Sequence, residues 1–226
     1  GFKWLKQNSL SPDVSSKVYV MSHLNSDVCI SPTNYSTSSS ATIQSIDIAT
    51  GGIINNTNNL TIDGDVLIDG SILGGTIILN GSTDQTLDGT GLIFDNLTLN
   101  KTVGDVILNK PLAVNGTFKM ISGNITNGSN ILTIGTGSAN DGVIEYTSGM
   151  ITGFLRRYFP NGVSSKFFPI GNGTNLRDFT IDFSESPGID QYLTAAYKSG
   201  VPQYAGGSLY NGLPLITEDD MLIQNY

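Results

Sequence analysis

Residues 61–82 read TIDGDVLIDGSILGGTIILNGS, and this stretch decides the fold class of the chain. Its Ile, Val and Leu residues recur about every six positions, alone or as pairs one residue apart, and DG, DGS, GG or NGS groups separate them. An apolar residue at every second position predicts a short strand with one buried face. The Gly, Asn and Asp groups predict tight turns, because these residues tolerate the backbone angles that turns need. The stretch therefore predicts short strands joined by frequent turns.

The same rhythm extends to both sides, from about residue 41 to residue 150. Most steps between apolar groups are six or seven residues. Such steps are too short for a β-meander, in which turn signals return about every 8–12 residues. A parallel β-solenoid with three short strands in each triangular coil of about 20 residues fits the spacing. On this interpretation Leu97/Leu99 lie one coil before Phe118/Met120, about five coils form, and corner Asn side chains bond to one another.

The composition limits the classes of partner. Charged residues make up only 13% of the chain, and 19 acidic residues against 11 basic ones give a formal net charge of −8. We predict no nucleic-acid partner, because phosphate binding needs clustered Lys and Arg. We also predict no membrane-spanning segment, because no run of about 18 apolar residues occurs. A neutral sugar or another protein remains compatible with this composition.

Changes in composition and in the spacing of apolar residues along the chain predict three regions. Residues 1–40 form an N-terminal capping segment, residues 41–150 the solenoid, and residues 151–226 a β-sandwich-like module that is incomplete. The last region is richer in aromatic residues, as in FLRRYF and SKFFPIG, and loses the short rhythm. It stops within a predicted strand at DDMLIQNY, so we expect the chain to continue or this strand to pair with another molecule.

Three segments resemble those of a known class of bacterial proteins. Residues 94–138, FDNLTLNKTVGDVILNKPLAVNGTFKMISGNITNGSNILTIGTGS, are similar to β-solenoid segments of large secreted and surface proteins of Bacteroidetes-type bacteria. Residues 153–183, GFLRRYFPNGVSSKFFPIGNGTNLRDFTIDF, are similar to a segment that often follows them, and VYVMSHLNSDVCIS resembles the start of the same solenoids. The resemblance implies export by the type IX system and an extracellular adhesive or structural role. It provides no catalytic residue.

Acidic turn residues are the first candidates for chemistry. Asp63, Asp65 and Asp69 lie in DG-type turns, and solenoids that cleave polysaccharides use paired carboxylates. Asp is also favoured in turns because its side chain bonds to nearby backbone groups. We prefer the second interpretation and predict no catalytic residue.

The remaining candidates point to a partner surface at most. Arg156, Arg157 and Tyr158 form a basic and aromatic cluster, which we predict as the candidate partner or ligand surface. Cys29 has apolar neighbours and is predicted to be a buried apolar-type residue. His23 has no second metal ligand at suitable spacing, and no calcium-binding loop is complete. We therefore predict no cofactor and no metal site.

The sequence thus predicts an all-β chain, with a right-handed parallel β-helix followed by a β-sandwich-like module. Its predicted function is that of a non-enzymatic structural or adhesive protein on the cell surface or outside the cell. It would act as a rigid rod or as a filament subunit that assembles by strand addition. Its partners would be copies of itself, other surface proteins or glycans. The alternatives are a carbohydrate-active β-helix protein and, ranked lower, an ice-binding solenoid, which needs a flat Thr-x-Thr ladder.

Overall fold

The computed structural model of this chain describes residues 3–4, 18–19, 28–30, 34–37, 39–162, 164–183, 188–199 and 221–225. These residues form strands, turns and loops, and none of them lies in a helix. The strands up to residue 88 are β1 (Lys3–Trp4), β2 (Val18–Tyr19), β3 (Val28–Ile30), β4 (Asn34–Thr37), β5 (Ala41–Ile43), β6 (Ile46–Ile48), β7 (Ile53–Asn56), β8 (Asn59–Ile62), β9 (Val66–Ile68), β10 (Ser71–Leu73), β11 (Thr76–Leu79) and β12 (Gln85–Asp88). Those after it are β13 (Ile93–Phe94), β14 (Asn96–Leu108), β15 (Leu112–Val114), β16 (Thr117–Ile134), β17 (Val143–Tyr146), β18 (Ile151–Phe159), β19 (Ser164–Phe168), β20 (Phe179–Phe183), β21 (Gln191–Tyr197) and β22 (Met221–Asn225).

The strands stack in parallel on the three sides of a solenoid of about six turns. The first side stacks β5, β8, β11, the start of β14, the start of β16 and β17. The second side stacks β1, β3, β6, β9, β12, the end of β14, the middle of β16 and the start of β18. The third side stacks β2, β4, β7 and β10 and, further along, β13, β15, the end of β16 and the end of β18. The predicted all-β parallel solenoid is confirmed.

Inward side chains of successive coils lie above one another and form the core. On the first side Leu97 pairs with Phe118 and Leu99 with Met120, which confirms the predicted spacing of one coil. All four side chains are completely buried, because alternate residues of a strand point to the same face. Burying a large apolar side chain contributes about 1.5–3 kcal/mol, so these columns hold the coils together.

The C-terminal region extends the solenoid and covers its end. The last residues of β18 pair antiparallel with β21, which pairs antiparallel with β22. β19 and β20 form an antiparallel hairpin. Phe159 and Phe168 are completely buried in the same core cluster as the solenoid side chains. The predicted β-sandwich-like module is not confirmed, because these aromatic residues enlarge the solenoid core instead of forming a second one.

Aromatic contacts attach the β19–β20 hairpin to the end of the solenoid. The rings of Phe168 and Phe179 stack with centroids 4.7 Å apart. Phe159 meets Phe183 edge to face at 5.0 Å. The hairpin therefore shields the last apolar layer from water, and it brings β19 close to the side of the solenoid on which β17 lies.

Candidate functional site

The candidate partner surface at Arg156, Arg157 and Tyr158 does not form one exposed patch. Arg157 and Tyr158 are each only 2% exposed. Arg156 is half-buried, and its Nε donates to Thr194 Oγ1 on β21 at 3.1 Å. Tyr158 is covered on its own side of β18 by β21, where the Tyr192 ring packs against it at 5.3 Å. Of the three residues, only Arg156 reaches the solvent, and its contact with a partner stays a prediction.

The Arg157 side chain points inward and is bonded to two backbone carbonyls. Nη1 donates to Phe167 O at 2.6 Å, and Nη2 donates to Gly142 O at 3.2 Å. Nε is buried and has no hydrogen-bond partner among the described residues. Burial lowers the pKa of Arg157 to about 10, and the nearby Asp141 carboxylate opposes that shift. The guanidinium is therefore charged at neutral pH, and its Nε–H donor is unused among the described residues.

A second buried cation lies beside Arg157. Lys166 on β19 is 7% exposed, and its Nζ lies 2.7 Å from Asp141 Oδ1 and 3.4 Å from Gly142 O. The Asp141 side chain is 44% exposed and completes this ion pair. The cluster of Arg157, Lys166 and Asp141 thus holds two positive charges and one negative charge, and the carboxylate bonds to Lys166.

These groups line a cleft at the C-terminal end of the solenoid. The cleft has a volume of about 240 Å³, and residues 142–144, residues 165–167 and Arg157 contribute to its walls. Among the described strands β17 pairs only with β16, so its other edge is unpaired. The cleft therefore lies between the unpaired edge of β17 and the two cationic side chains, Arg157 and Lys166. We call it the Arg157 cleft.

The Asp residues considered for catalysis bond from one coil to the next. Asp65 Oδ1 accepts a hydrogen bond from Thr86 N at 2.8 Å. Asp69 Oδ1 accepts one from Thr90 N at 3.1 Å. Asp63 Oδ1 accepts one from Asn80 Nδ2 at 3.0 Å. These carboxylates satisfy donors at the corners, where the chain leaves one ladder before it enters the next.

Other Asp residues repeat this arrangement along the solenoid. Asp84 Oδ1 accepts a hydrogen bond from Asp105 N at 2.9 Å, which lies 21 residues further along the chain. Some corner Asn side chains donate to such carboxylates, as Asn109 does to Asp88 at 3.3 Å and Asn124 to Asp105 at 3.2 Å, and others donate to backbone carbonyls, as Asn96 does to Gly75 O at 3.1 Å. Where an Asp lies on the preceding coil it is the stronger acceptor, and bonds between the side chains of corner Asn residues stay a prediction.

A buried polar corner was missed by the sequence reasoning. Lys101 is 1% exposed, and its Nζ donates to Asn80 O at 3.1 Å and to Gln85 Oε1 at 3.4 Å. Gln85 is completely buried, and its Nε2 donates to the Ile62 and Gly64 carbonyls. Burial lowers the pKa of Lys101, and Asp84, Asp63 and Asp105 oppose the shift. The sequence contains the information needed to predict this corner. Lys101 follows Leu97 and Leu99 in steps of two residues, so its side chain points to the same, inward face of the strand.

The structure adds little on the other candidates. No group of three or more His, Cys, Asp or Glu residues in the described part of the chain could hold a metal ion. His23 and the Cys29 side chain lie outside the described residues. A search of the described residues finds no helix with the length and apolarity needed to cross a membrane.

Comparison of the chain with protein-family models, with curated proteins and with solved structures gives no match in any of the three.

Proposed function

We propose that this chain is a non-enzymatic extracellular protein with a structural or adhesive role, acting as a rigid β-solenoid rod. The observation that carries the proposal is the continuity of the contacts between coils. Backbone ladders, apolar columns and corner side chains all connect one coil to the next. The resemblance of residues 94–138 to the solenoids of bacterial surface proteins supports the extracellular location.

We expect the rod to be stiff, because adjacent coils contact each other on all three sides of the solenoid. Bending the rod would open backbone hydrogen bonds on one side and separate buried side chains such as Leu99 and Met120. Strands in a ladder are about 4.8 Å apart, so even a small opening exposes apolar surface and leaves donors unpaired. A rod of this kind can hold another module or a ligand-binding end at a fixed distance.

A filament of such rods is the finer form of the proposal. On the first side β5 pairs only with β8, and at the other end β22 pairs only with β21, among the described strands. Each therefore offers an unpaired edge to which a strand of another copy can add. Head-to-tail contacts that do not close into a ring produce fibres. Copies of itself are thus the first partner to test, before other surface proteins and glycans.

Negative-stain electron microscopy and analytical ultracentrifugation test the two forms together. Regular polymers that lengthen with protein concentration would support the filament subunit. Monodisperse monomers at high concentration would contradict the filament subunit and support the display rod. Discrete closed oligomers of fixed size would contradict both. Fractionation of the native cells, followed by detection of the protein, tests the extracellular location independently.

The non-enzymatic part of the proposal is tested on polysaccharides. The Asp side chains that could act as an acid and a base are already used as hydrogen-bond acceptors between coils. We expect no release of reducing or unsaturated sugar ends from a panel of neutral and acidic polysaccharides. Turnover that Asp65→Asn abolishes without changing stability would instead establish a carbohydrate-active protein.

A further inference from the structure

We propose that the Arg157 cleft binds a carboxylate group, carried by an Asp or Glu side chain of an extended peptide that pairs with the free edge of β17. This inference goes beyond the proposed rod function, because peptide binding at this end can occur whether or not the rod forms a filament. The cleft, the buried donor and the strand edge are the three observations that carry it.

The charge balance of the cleft indicates an anion. Arg157 and Lys166 place two cations at positions that are nearly inaccessible to water, and Asp141 forms an ion pair with Lys166. Asp141 bonds to Lys166, while two neutral carbonyls accept the bonds from Arg157. A buried charge is costly unless another charge pairs with it. A second carboxylate would bring this group of side chains to neutrality.

The unused donor indicates where the anion binds. Arg157 Nε is buried without a hydrogen-bond partner among the described residues, and the Arg157 side chain lines the cleft. A guanidinium presents its N–H groups in a fixed plane that suits carboxylate oxygens. Leaving a buried N–H unpaired is unfavourable, so a ligand oxygen that reaches Nε removes this penalty. The volume of about 240 Å³ can admit a side chain of modest size.

The edge of β17 indicates that the carboxylate belongs to a peptide. Val143 N donates to Gly116 O at 3.0 Å, and Thr147 N donates to Met120 O at 2.8 Å, so these residues face β16. In a parallel ladder alternate residues bond to opposite neighbours. The backbone groups of Ile144 therefore face the unpaired edge, and Ile144 lines the cleft. An extended peptide can pair with such an edge, and its side chains then enter adjacent pockets.

Nuclear magnetic resonance of the ¹⁵N-labelled protein tests the proposal at the atom concerned. The probes are a blocked pentapeptide with a central glutamate between valines, its glutamine analogue, acetate and trigalacturonate, all at matched ionic strength. We expect the Arg157 Nε–H signal to shift and saturate with the glutamate peptide. The glutamine peptide should bind at least about tenfold more weakly, because it lacks the charge-assisted bond. Acetate should shift the same signal at higher concentration.

Three variants separate binding in the cleft from general attraction. Arg157→Lys keeps the charge but removes Nε, and it should weaken the glutamate peptide about tenfold. Asp141→Asn removes the competing carboxylate and frees Lys166, so it should bind the peptide at least about threefold more tightly. Arg156→Lys, outside the cleft, should bind as the unmodified protein does.

Several results would overturn the proposal, and none of them bears on the rod. They are the absence of a saturable shift at Arg157, equal affinity for the glutamate and glutamine peptides, and weaker binding by Asp141→Asn. Tighter binding of trigalacturonate than of the glutamate peptide would also overturn it, since the cleft would then recognise an acidic sugar. The wild-type titration is informative even where a variant fails to fold.

Discussion

The corner carboxylates provide a direct test of how the coils are joined. We consider the triple substitution of Asp65, Asp69 and Asp84 by Ala and, separately, by Asn. Each of these carboxylates accepts a hydrogen bond from a backbone N–H one coil further on, at 2.8, 3.1 and 2.9 Å. Alanine removes the acceptor. Asparagine keeps an acceptor oxygen of similar geometry and removes the same three negative charges.

The expected magnitude follows from the exposure of these bonds. A hydrogen bond contributes about 0.5–1.5 kcal/mol net, and one to a charged group contributes more. The three bonds are exposed to solvent, so we take about 1 kcal/mol for each. The triple Ala variant should then lose about 3 kcal/mol, because contributions from sites without shared partners add. In a chain of this size that lowers the Tm by about 6–12 °C.

The Asn variant should lose much less stability than the Ala variant. It removes three negative charges from a protein with a formal net charge of −8, so relief of repulsion offsets the loss of the charged acceptor. Both variants equally lose the attraction between Asp84 and the buried Lys101. Its Tm should stay within about 3 °C of the unmodified protein. The two variants change the formal charge equally, and the difference between them therefore isolates the acceptor. Differential scanning calorimetry at neutral pH provides the measurement. Equal melting temperatures for the two variants would refute the reasoning.

Three further predictions concern the core, an ionisable group and the corners. Met120→Ala should destabilise the chain by about 2–5 kcal/mol in urea unfolding because it leaves a cavity at a buried position. Lys119→Ala, in an exposed ion pair on the same strand, should cost less than about 0.5 kcal/mol. Similar losses of stability for the two variants would contradict the inward and outward faces assigned to this strand. Burial raises the pKa of Tyr158 to about 12, so the folded protein holds this proton more tightly than the unfolded chain and loses stability between about pH 10 and pH 12. Tyr158→Phe should remove both that loss and the late step in tyrosinate absorbance, and an unchanged titration would contradict the assignment. Gly149→Ala should destabilise the chain by more than about 2 kcal/mol, because the new Cβ would overlap a carbonyl oxygen of the preceding coil. Gly128 also has a positive φ but has open space around it, so Gly128→Ala should cost about 1 kcal/mol in the same urea experiment.

The alternation of apolar residues was sufficient to predict the solenoid. Leu97, Leu99, Phe118 and Met120 have the spacing of one coil in the sequence, and they occupy matching positions in adjacent strands. The short steps between apolar pairs exclude hairpins, and parallel stacking is the arrangement that remains. The sequence predicted about five coils where the structure has about six. The count of five covered residues 41–150, whereas the structure also stacks β3 and β4, before residue 41, on β6 and β7, and β18, after residue 150, on β16.

The C-terminal region could not be predicted in the same way. A run of aromatic residues after residue 150 indicates strands, but it does not show whether those strands build a new core or extend an existing one. Phe159 and Phe168 belong to the solenoid core, because β18 continues the third side and the hairpin folds back over the end. This outcome depends on contacts between segments that are distant in the sequence, and local periodicity contains no information about them.

Buried polar side chains follow a rule that the sequence does contain. Asn56 follows the inward Ile54, Lys101 follows the inward Leu99, and Arg157 follows the inward Leu155, each by two residues. All three are nearly inaccessible to solvent. Each of them lies at the end of a row of inward-pointing side chains, next to a corner of the coil. The Lys101 and Arg157 side chains donate to backbone carbonyls there. The Arg157 cleft arises at such a position, in the last coil that the described residues form, where β21 rather than another coil pairs with the end of β18.

The acidity of the chain follows from the same geometry. Where the backbone turns a corner, N–H groups leave the ladder and need acceptors, and side-chain oxygen atoms provide them where no backbone carbonyl is in reach. Asp65, Asp69 and Asp84 meet this need from the preceding coil, and a Lys or Arg at the same positions could not. A solenoid with polar corners therefore accumulates Asp without any ligand to select for it. The net charge of −8 consequently says little about partners, whereas a surplus of positive charge, as in the Arg157 cleft, runs against this trend and needs an explanation of its own.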